Sequence, residues 1–277
     1  QRCVLMNSGS TVMVDSWLSD CHGKGYDRQA IASWNGTGPF KIQNNYLEGA
    51  GENLMFGGAD PSIPNLIPSD IEVVGNHFFK PDAWRSVWTV KNLFELKMGH
   101  RVLVDGNVFE NNWPDGQNGT AIVLKSVNQN GSAAWSETAD VTFRYNIVRN
   151  VAHAVAAAGR PEPYPAIPMS HLVFSHNLFQ QVGDGRYPGG RLWVVSNVRA
   201  ITFEYNARAL HAAPQGEQFA CREQRVRRET AEVGQIRPDP PCRRRWIRHH
   251  RAQQDVHLVG VPAQCAAERD GCEVPPR

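Results

Sequence analysis

Four short segments of this chain place ionisable and aromatic side chains at matching positions: Ala30-Ile-Ala-Ser-Trp34, Asn53-Leu-Met-Phe-Gly57, Leu93-Phe-Glu-Leu-Lys97 and Ala121-Ile-Val-Leu-Lys125. Their second and fourth residues are apolar, Ser33 excepted, and in an extended strand the third and fifth residues then point the other way. Alignment gives one outward column of Ala32, Met55, Glu95 and Val123, and a second of Trp34, Gly57, Lys97 and Lys125. Lysines about 5 Å apart on neighbouring strands disfavour each other's charge, and an adjacent acid such as Glu95, or an anionic ligand, relieves this. A uronate carboxylate between Lys97 and Lys125, with a sugar face on Trp34 and the bare Gly57 as floor, meets that requirement. Elimination from a uronate needs the carboxylate neutralised and the neighbouring carbon-bound proton removed, work that a lysine of lowered pKa suits. Hydrolysis needs two carboxylates flanking the bond. Glu95 is the one acid in the columns, so its partner comes from Glu52 or Asp60 on the preceding loop. The plainer alternative is that these lysines only keep a solvated sheet face soluble and that Trp34 caps a core.

A second cluster, Asp20, His22 and Lys24, sets acid, imidazole and amine in one glycine-containing loop. Such a loop suits acid–base work, substrate binding or a metal, or is a turn satisfied by its own side chains. The stretch Asp115-Gly-Gln-Asn-Gly119 has calcium-loop composition without the distal Glu that such a loop needs, so no metal is expected and Ca2+ has no specific motif. No phosphate loop, zinc-protease helix or dinucleotide fingerprint occurs, and no cofactor is expected.

The elements that must position these groups repeat. Asn45, Asn76, Asn107, Asn146 and Asn177 each have apolar residues five and three before them and two after, as in Val102-Leu-Val-Asp-Gly-Asn107-Val-Phe109. At 41% hydrophobic composition that triple should arise by chance at about 7% of asparagines, against five of nineteen up to Asn206. Successive anchors lie 31, 31, 39 and 31 residues apart, and Asn206 follows 29 later. A cryptic earlier copy, Val12 to Trp17, puts Trp17 in the Asn place. Apolar residues two apart in short runs rich in Val, Ile and Phe predict half-buried strands. Asn tolerates the left-handed conformation of a sharp turn, and stacked copies can pass amide hydrogen bonds from turn to turn. A leucine-rich repeat shares this core but needs a further Leu eight before the Asn, and four of six positions there are not apolar: Thr37, Pro68, Gly99 and Thr138. The expectation is an all-β, right-handed parallel β-helix with strands about 4.8 Å apart.

These residues resemble the right-handed parallel β-helix of the pectate-lyase-like superfamily. The stretches Gly51-Glu-Asn-Leu-Met-Phe-Gly-Gly-Ala-Asp60, Asn76-His-Phe-Phe-Lys-Pro81, Asn92-Leu-Phe-Glu-Leu-Lys97 and Gly106-Asn-Val-Phe-Glu-Asn-Asn-Trp113 look like an uncharacterised bacterial branch of it. The resemblance covers residues 1 to about 206 and implies a secreted or periplasmic polysaccharide-directed protein, enzyme or adhesin. The superfamily's Arg-x-x-Arg type of lyase motif is absent from residues 1–206.

Composition divides the chain. Up to Asn206 it carries sixteen basic and eighteen acidic residues, and beyond it thirteen Arg and nine acids with no Lys, Asn, Ser or Tyr. Residues 207–277 therefore form a separate Arg-rich segment. A reading-frame slip near residue 207, a disordered basic tail, or a module built on Cys221, Cys242, Cys265 and Cys272 would each account for it. Cys3 and Cys21 either pair or stay buried as thiols. No apolar stretch is long enough to span a membrane, and Gln1 to Thr11 lack the layout of a secretion signal, so the chain is read as processed or a fragment. The expected function is a polysaccharide lyase or glycoside hydrolase acting on an acidic glycan along the outward strand face, with Lys97, Glu95 and Lys125 catalytic and Trp34, His22, Lys24, Glu52 and Asp60 binding. The alternative is a non-catalytic carbohydrate-binding or adhesin-type solenoid. The expected partner is a polysaccharide, with neither membrane nor nucleic acid, and a monomer is expected.

Overall fold

In a computed structural model, which describes residues 2–158, 164–209 and 257–258, each turn of the chain lays down three short strands. Every strand pairs in parallel with its counterpart one turn later. The second turn, for example, consists of Gln29–Ser33, Gly38–Gln43 and Tyr46–Gly49. Seven such turns make a parallel β-helix with three faces. The first sheet runs from Arg2–Leu5 to Trp193–Ser196, the second from Gly9–Val14 to Val198–Glu204, and the third from Trp17–Cys21 to Ala207–Ala209. The short strand His257–Leu258 adds antiparallel to Ala207–Ala209. Among the described residues the one helix is a 3-10 turn, Asp82–Trp84.

The inward positions of the repeat stack like on like. Phe40, Ile71, Val102, Val141 and Leu172 pair in register along the second sheet, and all are buried. Phe78 lies on Phe109 with ring centroids 4.4 Å apart, and Phe109, Phe143 and Phe174 continue at 5.6 and 5.5 Å. A turn has too little apolar surface to fold alone, so burial accrues only between turns.

The recurring asparagines occupy one corner, between the second and third sheets. Each Oδ1 from Asn76 to Asn206 accepts both the backbone N–H and the Nδ2 of the asparagine one turn earlier, at 2.9–3.1 Å. The Nδ2 groups also donate to backbone carbonyls of the preceding turn, as Asn107 does to Val73 at 2.9 Å. The left-handed conformation, however, falls one residue earlier, at Asn44, Gly75, Gly106, Tyr145, His176 and Tyr205, with φ between 51° and 67°. Turning the chain there leaves the asparagine amide free to face along the stack.

The first turn also departs from expectation. Ser16, not Trp17, holds the corner: its N–H donates to Asn45 Oδ1 at 2.9 Å, and Trp17 pairs with Tyr46. Val12 and Val14 are consequently exposed while Thr11 and Met13 align with Phe40 and Ile42. Apolar residues on both faces of this strand hid a slip of one residue, which exchanges inside for outside.

Cys3 and Cys21 form a disulfide across eighteen residues, tying the first turn's first and third strands. Closing a loop of that length in the unfolded chain stabilises the fold by about 2–4 kcal/mol. Reduction is expected to lower the Tm by several degrees, and a Cys3→Ser, Cys21→Ser variant to show the same Tm with or without reductant. Of the Arg-rich segment, only residues 207–209 and 257–258 lie among the described residues, and the expectations for its remainder, the late cysteines included, lie outside them.

Candidate functional site

The first sheet brings the expected columns into register. Ala32, Met55, Glu95 and Val123 are paired along neighbouring strands, and Lys97 lies against Gly57 on one side and beside Lys125 on the other. The expected exposure of the first column is wrong. All four residues of the first column are buried, Glu95 completely so. The pleat fixes which way a side chain points, but irregular loops decide what lies over it, and here they fold across the sheet. The segment 57–68 lays Gly58 against the Met55 methyl. It is latched to the loop 125–137 by Asp60, whose carboxylate accepts backbone N–H groups from Gln129, Asn130 and Ser132 at 2.6–3.0 Å. Burial would raise the Asp60 carboxyl, but these bonds hold it below its ordinary value. Asp60 is therefore a loop latch and not the second carboxylate.

Glu52 lies near enough to Glu95 for their charges to interact. Gln29 Nε2 donates to Glu52 at 2.6 Å and Asn92 Nδ2 to Glu95 at 3.0 Å. Burial raises the Glu52 carboxyl, and the charge of Glu95 raises it further. Close by, Lys91 pairs with Asp27, and the wholly buried Lys80 donates Nζ to the carbonyls of Gly49, Ala50 and Gly51. Gln29 Oε1, Asn92 Oδ1 and Glu95 Oε1 are buried without a protein partner. This oxygen-rich set would suit ordered water or a hard cation, although no group of three His, Cys, Asp or Glu side chains able to hold a metal occurs among the described residues. Trp34 has the Arg2 guanidinium over its ring at 4.6 Å. His22 stacks on Trp88 at 4.1 Å with Asp20 3.8 Å away, and Lys24 is exposed in the same loop.

The open surface lies on the third sheet, among residues that the strand alignment passed over. The position after each corner carries Trp17, Tyr46 and His77 in register, and the position two further on carries Glu48, Phe79 and Glu110. Trp17 is 69% exposed and stacks on Tyr46 with centroids 3.8 Å apart. His77 meets Tyr46 edge-on at 5.3 Å, and Phe79 lies 6.1 Å from Tyr46. Tyr46 Oη donates to Glu48 at 2.6 Å, and the Asp20 N–H donates to its other oxygen at 3.1 Å. Glu110 takes His77 Nε2 at 3.0 Å and Arg149 at 2.8 Å. Burial would raise the Glu110 carboxyl, yet these two partners hold it below its ordinary value. Burial pushes the Tyr46 phenol up, and its hydrogen bond to Glu48 and the charges of Glu48, Glu110 and Asp20 push it higher. The face therefore offers aromatic surface, carboxylates and a cation within a few turns. Tyr46 and His77, immediately after the corner asparagines Asn45 and Asn76, were the signal for it.

No protein-family model, no curated protein and no solved structure matches this chain. No helix among the described residues is long and apolar enough to cross a membrane.

Proposed function

We propose that this chain is a glycan-binding β-helix of the pectate-lyase-like kind that works outside the cytoplasm and contacts its ligand along the third sheet. The observation that carries the reading is the exposed Trp17–Tyr46 stack bordered by Glu48 and the Glu110–Arg149 pair. A sugar presents apolar C–H faces to aromatic rings and hydroxyls to carboxylates, and this face supplies both within reach of one saccharide unit or two. Strands about 4.8 Å apart set Trp17, Tyr46 and His77 in a row, which suits a short run of an extended polymer. The Cys3–Cys21 disulfide fits an oxidising compartment. Trp17→Ala and Tyr46→Ala are expected to weaken binding in titrations with oligosaccharides by at least about tenfold while the Tm stays within a few degrees. Unchanged affinity in both variants rejects this face.

A lyase or hydrolase on the first sheet is the second reading, favoured by the buried Glu52–Glu95 pair. Two buried carboxyls close to one another, with that of Glu52 raised by burial and by the charge of Glu95, resemble the start of an acid–base pair. Product release from a panel of polysaccharides that is abolished in Glu95→Gln and in Lys97→Ala supports catalysis there, and binding without turnover supports the first reading.

A further inference from the structure

We infer that the third-sheet face selects a glycan bearing free amino groups, with an ammonium docking on the Glu48 carboxylate beside the Trp17–Tyr46 stack. The inference rests on the glycan reading above and adds the ligand's charge, reversing the acidic glycan expected from the lysine column. Glu48 is only 7% exposed. Its two hydrogen-bond donors, the Tyr46 hydroxyl and the Asp20 N–H, are both neutral. Among the described residues no Lys, Arg or His forms an ion pair with it, whereas Glu110 on the same face has both Arg149 and His77. A carboxylate so far withdrawn from water is costly until a cation reaches it. Asp20, 74% exposed at its side chain, adds a second negative charge beside Glu48, which its N–H contacts. His22, 3.8 Å from Asp20, offsets that charge only when protonated. Trp17 leaves most of its surface open next to this charge, and an indole attracts an ammonium as well as a sugar face. A uronate, by contrast, would bring its carboxylate against Glu48 and Asp20.

Titration of the full chain with length-matched oligomers of glucosamine, N-acetylglucosamine and galacturonate tests this, with a lysine oligomer as a fourth probe. The glucosamine oligomer is expected to bind at least about tenfold more tightly than the acetylated one and to weaken as salt rises. Glu48→Gln should abolish that preference, bringing the glucosamine oligomer's affinity to that of the acetylated one. Asp20→Asn, an exposed change that spares the fold, should reduce the preference partially. Equal or tighter binding of the acetylated or uronate oligomer overturns the inference and leaves the glycan reading standing. A lysine oligomer that binds alone, with the same dependence on Glu48, replaces the glycan with a peptide. Failure of all three sugars removes both readings.

Discussion

Asn107→Ala is expected to destabilise the chain by about 3–5 kcal/mol, more than any surface change described above. The side chain is buried and serves four hydrogen bonds. Its Oδ1 accepts from the Asn76 backbone and from Asn76 Nδ2, and its Nδ2 donates to Val73 O and Asn146 Oδ1. Truncation strands donors on one neighbouring turn and acceptors on both. Each buried group left without a partner costs about 1–3 kcal/mol, and only some will find another by relaxation. Asn206, the last of the described ladder, accepts from Asn177 but has no described asparagine beyond it. The same change there should cost about half as much. Asn107→Asp should not rescue, because it restores the acceptor but not the donor and buries a charge. Urea unfolding midpoints of the three variants decide the matter, and a loss at Asn107 below about 1 kcal/mol would mean that the amide ladder follows the fold without supporting it.

Lys80→Ala should come close to that effect, and Lys80 should also make stability depend on pH. Its ammonium bridges three successive carbonyls where the third sheet hands over to the first. Alanine would leave those carbonyls and a cavity behind, at a cost of about 3–5 kcal/mol. Burial pushes the Lys80 pKa from 10.5 down to about 7, with Glu52 opposing the shift. Between those two values the unfolded chain binds the proton and the folded chain does not. The contribution of Lys80 to stability therefore rises with pH across about 7 to 10.5 and is at its least favourable below 7. Glu52, whose carboxyl is raised, works in the opposite sense from 4.5 upward. The measurement is accordingly a difference: unfolding free energy against pH for the native chain and for Lys80→Met. The two curves should diverge as the pH rises through this window, and parallel curves would show that Lys80 stays charged in the fold.

The period, the corner and the inward columns could be read from the sequence because they follow from geometry that repeats. Strand alternation put Leu54, Phe94 and Ile122 inside, and the asparagine spacing put Asn76, Asn107 and Asn146 on neighbouring turns. The fate of the outward columns could not be read in this way. Glu95 belongs to the outward column yet is wholly buried, and its neighbour Met55 is met by Gly58 of the segment 57–68, which has no period. Asp60 lies close to Glu52 in sequence but is held by backbone groups around Ser132, a distant pairing that no spacing encodes. The third-sheet face is legible in principle, since Trp17, Tyr46 and His77 sit at one repeat position. The period, however, is carried by the apolar place beside them and says nothing of the outward one. The slipped frame at Val12 concealed Trp17's alignment with the other two.

The corners of the helix differ in how much length they tolerate. Between Leu96 and Gly99 the chain passes from the first sheet to the second through Lys97 and Met98 alone, whereas between Leu124 and Thr138 it takes residues 125–137 for the same crossing. The strands on either side keep identical register in both turns. That corner is thus a natural place for grafted peptides and for divergence between descendants of this sequence, while the asparagine corner admits neither. New recognition could be added at one edge of the molecule without renegotiating the spine along the other.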